Sequence, residues 1–137
     1  MPSVLTGRIS NRSAGAATLN CTRSVDRWAG QVLDGRIPAC RLVQLACRRH
    51  LDMWNRNDLE RRIDEAQRAF TFISALRHSV GVHAGSRFQL ALWQQMIVAD
   101  LFGLYLDGKR LFRRAFISLP RKNGKTTLAS ALALKLL

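Results

Sequence analysis

Residues 116–127 read FISLPRKNGKTT, and this stretch carries the clearest chemical signal in the 137-residue chain. An apolar run leads into a short basic loop, and Gly124-Lys125-Thr126 stand where helical composition begins. A buried strand that feeds a loop with Gly-Lys-Thr at the start of a helix is the arrangement of a phosphate-binding P-loop. The sequence therefore predicts a site for nucleotide phosphates at residues 120–127.

Each residue type in this loop has a chemical purpose. Backbone N–H groups at a helix N-terminus point toward phosphate oxygens, and the helix dipole favours negative charge there. Gly124 lets the backbone approach a ligand closely, Lys125 would contact the β- and γ-phosphates, and the Thr126 hydroxyl would ligate Mg²⁺. The generic pattern also wants a glycine at position 119, where this chain has Leu119. A basic turn between a strand and a helix is therefore the alternative.

Hydrophobic periodicity predicts a mostly helical region before this loop. We divide the chain into a flexible lead-in (1–23), a helical region (24–106) and the start of a P-loop core (107–137). The predicted elements are a helix from Ser24 with a left-handed end at Gly35, a helix from Pro38 to Trp54, a helix capped by Asn57 and Glu60 that runs to about Arg77, a loop from His78 to Gly85, a helix capped by Ser86 and Gln89, a β-hairpin of Leu104–Leu106 and Arg110–Leu119 with an Asp107-Gly108 turn, and a helix from Lys125 to Leu137.

Charge and cysteine content narrow the class of protein. The formal net charge is +13, which favours a polyanionic partner: nucleic acid, nucleotide phosphates and anionic membrane surfaces all fit this charge, and composition alone does not choose among them. The first residues lack the apolar core of a signal peptide, and no apolar run reaches the roughly 18 residues that span a bilayer. Three cysteines without paired spacing favour a reducing compartment, so we expect a cytoplasmic protein. Cys47 and His50 share one helix face, and a core pair is a better interpretation than a metal site.

Several blocks of the sequence resemble one family. Residues 120–126 (PRKNGKT), preceded by FRRAFI at 112–117, resemble the deviant Walker A segment of large terminase subunits. These are the ATP-driven DNA-packaging motors of tailed double-stranded-DNA bacteriophages. The family commonly lacks the first glycine, so Leu119 agrees with it. The resemblance covers about residues 26–137: residues 31–51 are similar to the family's leading helices, and residues 88–94 to the segment before its nucleotide site.

This resemblance implies an α/β P-loop NTPase fold, incomplete in this chain, with ATP and Mg²⁺ as cofactors. It implies that Gln94 contacts adenine and that Arg121 is catalytic, stabilising charge on the γ-phosphate. The alternative for Gln94 is a solvated helix residue, and the alternative for Arg121 is a non-specific phosphate contact. The implied partners are double-stranded DNA, the portal, the small terminase subunit and further copies in a ring, in the cytoplasm of a bacterial host and without a membrane. The implied nucleotide-binding residues are Gln94, Pro120, Arg121, Lys122, Asn123, Gly124, Lys125, Thr126 and Thr127, with Thr126 also binding Mg²⁺.

The distribution of carboxylates bears on catalysis. The last acidic residues are Asp100 and Asp107, whereas a P-loop ATPase needs acidic residues on a later strand to hold Mg²⁺ and orient water. We therefore interpret the chain as the N-terminal part of a terminase large subunit and expect it not to hydrolyse ATP alone. The alternatives are another P-loop NTPase, a basic helical module that binds nucleic acid by charge, and a non-functional remnant. The basic cluster Lys109, Arg110, Arg113 and Arg114 fits either DNA phosphates or a solvated strand edge.

Overall fold

The computed structural model describes residues 12–79 and 83–137, and it describes side chains from Thr22 onward. Helices dominate, and the three short strands form one antiparallel sheet in the order β1-β2-β3. The elements are α1 (Arg12–Leu33), α2 (Arg41–Trp54), β1 (Glu60–Arg61), α3 (Ile63–Ala75), α4 (Leu92–Gly103), β2 (Leu104–Leu106), β3 (Lys109–Arg110) and α5 (Lys125–Leu136).

Helix α1 corrects the predicted lead-in. The helix begins at Arg12 rather than at Ser24, so residues 12–23 are helical, while residues 1–11 lie outside the described residues. Its end is as predicted, because Gly35 takes the left-handed φ of 76° that terminates a helix. Val25 and Val32, seven residues apart, are both buried and lie on the apolar face of the helix.

Helices α3 and α4 begin later than the two predicted capping boxes. The cap at Asn57 and Glu60 is wrong because Glu60 belongs to strand β1, and its carboxylate accepts a hydrogen bond from the Gly108 N–H at 3.1 Å. The cap at Ser86 is also wrong, since its hydroxyl donates to the His83 carbonyl at 2.6 Å. In both places a longer-range or loop contact replaces the helix cap. Helix α2 likewise begins at Arg41, three residues after the predicted Pro38.

The predicted hairpin is confirmed at its turn. Tyr105 pairs with Arg110 and Leu106 with Lys109, and the two turn residues have positive φ (Asp107 50°, Gly108 71°). Two positive φ values define the turn that matches the twist of paired strands, and Asp-Gly is a favoured sequence for it. Strand β1 adds a third, unpredicted strand through the pairing of Glu60 with Tyr105.

The second predicted strand, Arg110–Leu119, is wrong beyond its first residue. Residues 111–120 contain no strand, and the Phe116 side chain is 96% exposed. A strand needs a neighbour to accept and donate its backbone hydrogen bonds. The Leu111 N–H donates to the Leu104 carbonyl of β2 at 3.0 Å, and beyond Leu111 no strand of the described part of the chain pairs with this segment. The observed three-stranded sheet is antiparallel, and the incomplete α/β P-loop class stays a prediction.

Two apolar clusters hold the helices together. The larger joins α3, α4 and α5, and the smaller joins α1 and α2 to Met96 of α4. Helix α4 therefore packs on two sides: Met96 faces the smaller cluster and Val98 the larger. In the described ranges, no helix is both long enough and apolar enough to cross a membrane.

Candidate functional site

Two residues of the loop before α5 have left-handed backbone conformations. Gly124 occupies the N-cap position of α5 with φ 69° and ψ 16°, and Lys122 also has a left-handed φ of 66°. The helix then begins at Lys125, as predicted, and the Leu128 N–H donates to the Gly124 carbonyl at 2.9 Å. The first N–H groups of a helix have no acceptor within the helix, so they are available to an anion.

The side chains of this loop face solvent. No ion pair within the described residues involves Arg121, Lys122 or Lys125. Leu128 is buried and, one turn into α5, fixes the helix to the larger apolar cluster. The predicted loop residues therefore lie at the start of a helix that is fixed by packing. All of them are exposed: Pro120, Arg121, Lys122, Asn123, Gly124, Lys125, Thr126 and Thr127.

Gln94 is brought to this loop from α4. A Cβ atom placed on Gly124 would lie 3.6 Å from Gln94 Nε2, so the carboxamide lies beside the glycine. Gln94 is only 6% exposed, and its Oε1 accepts a hydrogen bond from the Ala91 N–H at 2.9 Å. The alternative of a solvated helix residue is therefore wrong. The side chain caps the start of α4 and contacts the loop, and Oε1 retains a second lone pair for a ligand.

The residues fit a phosphate more clearly than they fit a metal ion. The left-handed Gly124 and the exposed first turn of α5 leave backbone N–H groups open to solvent, where an anionic oxygen would accept from them. The Thr126 hydroxyl lies in that first turn and is a suitable oxygen ligand for Mg²⁺. Within the described residues there is no group of three or more His, Cys, Asp or Glu side chains that could hold a metal.

A buried ionic cluster lies outside the loop, and the sequence did not indicate it. His50 on α2 is 1% exposed, with Nδ1 2.6 Å from Asp100 Oδ1 and Nε2 3.1 Å from Asp26 Oδ1. The indole N–H of Trp54 also donates to Asp100 Oδ1 at 2.9 Å. Only sequence-distant residues complete this cluster, since His50 and Asp100 are 50 positions apart. The expectation that Cys47 and His50 form a core pair is correct for Cys47, which is buried in the smaller cluster, but His50 is also charged.

The charge of His50 follows from these contacts. Burial disfavours the imidazolium, but the hydrogen bonds and negative charges of Asp100 and Asp26 outweigh burial and raise the pKa of His50 to about 9. Both ring nitrogens can donate only when the ring is protonated, and both face carboxylates. His50 is therefore an imidazolium at neutral pH and joins α1, α2 and α4.

Two cavities lie away from the loop, and neither is lined by residues 120–127. One has a volume of about 500 Å³ and is lined by polar groups of α3 together with Arg77 and Arg87. The other has a volume of about 450 Å³ and lies among α1, α2, α4 and residues 112–118. The candidate nucleotide site is thus an open surface.

Comparison with protein-family models, with curated proteins and with solved structures finds no match to this chain.

Proposed function

We propose that the loop at residues 120–124 and the first turn of α5 bind the phosphates of ATP together with Mg²⁺. The observation that supports this most strongly is the left-handed Gly124 at the N-cap of α5, directly before Lys125 and Thr126. This geometry supports an anion site, and the Gly-Lys-Thr order supports a nucleoside triphosphate over a simple anion.

Each residue of the site has a distinct role in this proposal. Lys125 and the backbone N–H groups of the first turn bind the β- and γ-phosphates, and Thr126 binds Mg²⁺, which would neutralise phosphate charge. Arg121 stabilises negative charge on the γ-phosphate. Gln94 holds the loop against α4 and offers its amide to the adenine edge. Pro120, Lys122, Asn123 and Thr127 complete the loop around these groups.

We further propose, from the family resemblance, that the chain is the N-terminal part of a terminase large subunit of the α/β P-loop class. Such a protein packages double-stranded DNA in the cytoplasm of a bacterial host, as a ring of copies with a portal and a small subunit. The charge of +13 and the exposed basic loop support a polyanionic ligand. A basic module that binds nucleic acid by charge alone is the second candidate, supported by the exposed residues Lys109, Arg110, Arg113 and Arg114.

Equilibrium binding of a fluorescent ATP analogue in the presence of Mg²⁺ tests the nucleotide site. We expect Lys125→Ala to weaken binding by about 10- to 100-fold, because a hydrogen bond to a charged group contributes about 1.5–3 kcal/mol. Lys135→Ala is the matched control, since it removes the same charge from the last turn of the same helix. We expect the control to bind as the unaltered chain does.

Equal loss in the two lysine variants would contradict a site at the loop and favour attraction by net charge. The second candidate predicts salt-sensitive DNA binding that neither Lys125→Ala nor added ATP changes. The two measurements together separate a nucleotide site from a charge-driven DNA surface.

A further inference from the structure

Ion pairs are distributed unevenly over the surface. Three arginines around β1 and the start of α3 pair with neighbouring carboxylates: Arg56 with Asp58, Arg62 with Glu60 and Arg68 with Asp64. A second group forms no ion pair with any carboxylate of the described residues: Arg49, Lys109, Arg110, Arg113 and Arg114. A cation without a counter-ion attracts anionic ligands, so these side chains are available to bind one.

Two of these arginines flank the cavity of about 450 Å³. Arg49 of α2 and Arg114 of the extended segment both line it, and the Arg49 guanidinium carbon lies 6.0 Å from the centre of the Phe112 ring. The one acidic lining residue is Asp100, whose Oδ1 already accepts hydrogen bonds from His50 and Trp54. The cavity therefore carries unbalanced positive charge at its walls.

Apart from Ser118, the remaining walls of this cavity are apolar, and four of the lining side chains are aromatic. Trp28, Trp93 and Phe112 are half-buried in it, and Phe116 lines it while being 96% exposed. Exposure of a phenylalanine ring to water is unfavourable, and contact of the ring with another apolar surface is favourable. The volume falls in the range of about 300–1,000 Å³ that is typical of ligand sites.

We propose that this cavity binds unstacked bases of a single-stranded nucleic acid, with the adjoining phosphates on Arg49 and Arg114. Aromatic side chains flanked by arginines are the arrangement on which unpaired bases stack while their backbone is neutralised. A duplex keeps its bases stacked on one another, so it offers this surface only phosphates. The site is separate from the nucleotide loop, because none of residues 120–127 lines it.

Fluorescence anisotropy with a labelled short oligothymidylate tests the proposal. We expect Phe116→Ala to weaken binding about tenfold, since a loss of about this size in affinity is expected when one base no longer stacks on an aromatic ring. Because Phe116 is almost fully exposed, its removal does not disturb the core. Leu136→Ala is the matched control, as Leu136 is another exposed apolar side chain at 56% exposure and lies outside the cavity.

Arginine variants and a second ligand separate stacking from charge. Arg114→Ala should weaken binding and lower the salt dependence, whereas Arg68→Ala should change little because Arg68 already pairs with Asp64. A strand of the same length made of abasic phosphodiesters should bind more weakly than oligothymidylate. It should also bind equally to the unaltered chain and to Phe116→Ala.

Three results would overturn the proposal: equal affinity for abasic and base-containing strands, no effect of Phe116→Ala on oligothymidylate, or tighter binding of a duplex of the same length. Lys125→Ala should reduce ATP binding and leave the oligothymidylate effect of Phe116→Ala in place. Failure of either site is thus distinguishable from failure of the other.

Discussion

At the scale of single residues, His50 has the most consequential environment in the described part of the chain. Its imidazolium is enclosed between two carboxylates from different helices, and Asp100 also accepts from Trp54. Removing one member of such a cluster leaves a buried charge without its partner, which is costly. His50 therefore stabilises the protein through its protonated form.

Stability should accordingly depend on pH. Because folding raises the pKa of His50 from 6.5 to about 9, its contribution is complete below pH 6.5 and is lost as the pH rises through about 9. The loss should be on the order of 3 kcal/mol, measured by urea unfolding across this interval. His50→Gln is the control and should lose the His50 part of this dependence. A free energy of unfolding with the same pH profile in both proteins would refute the assignment.

Among the elements, the contact between the end of α4 and the Trp54 ring of α2 depends on a glycine. A Cβ atom on Gly103, the last residue of α4, would lie 2.8 and 2.9 Å from two Trp54 ring carbons and 3.3 Å from Ala66 Cβ. Trp54 is fixed by its hydrogen bond to Asp100, so the ring cannot easily move away. Glycine is therefore required where the Trp54 ring lies against the end of α4.

A pair of glycine variants tests that requirement. Gly103→Ala should destabilise the protein by about 1–3 kcal/mol, the usual cost of overpacking. Gly30→Ala, in the interior of α1, meets no atom within 4 Å and should stabilise it by about 0.5–1 kcal/mol. Thermal unfolding of the two variants should shift the midpoint in opposite directions, and a shift in the same direction would contradict this packing.

At the scale of the whole molecule, α4 belongs to both apolar clusters. Met96 and Val98 are both buried, yet they face different clusters because they are two residues apart on a helix. The two halves of the protein are thus connected through opposite sides of one helix.

Amide hydrogen exchange can test whether the two apolar clusters unfold separately. Met96→Ala should speed amide exchange mainly in α1 and α2, whereas Val98→Ala should speed it mainly in α3 and α5. Met96→Ala should cost about 2–5 kcal/mol and Val98→Ala less, because fewer buried atoms are removed. The same exchange pattern in both variants would mean that the clusters unfold as one unit.

Sequence reasoning succeeded where local chemistry decides the structure. The Asp107-Gly108 turn, the left-handed Gly35 and the start of α5 at Lys125 each depend on residues that are adjacent in the chain. It failed where distant contacts compete with local ones. The apparent cap at Glu60 became a strand residue that binds the hairpin turn, and the ionic cluster joins residues that no spacing rule connects.

The position of Gln94 at the start of α4 has a mechanical consequence. One helix carries Gln94 beside the loop, Met96 in the smaller cluster, Val98 in the larger and Asp100 in the ionic cluster. A helix is stiff along its axis, so residues along α4 move together rather than independently. A displacement of Gly124 toward the Gln94 amide would therefore shift α4 as a unit and move Met96, Val98 and Asp100 together.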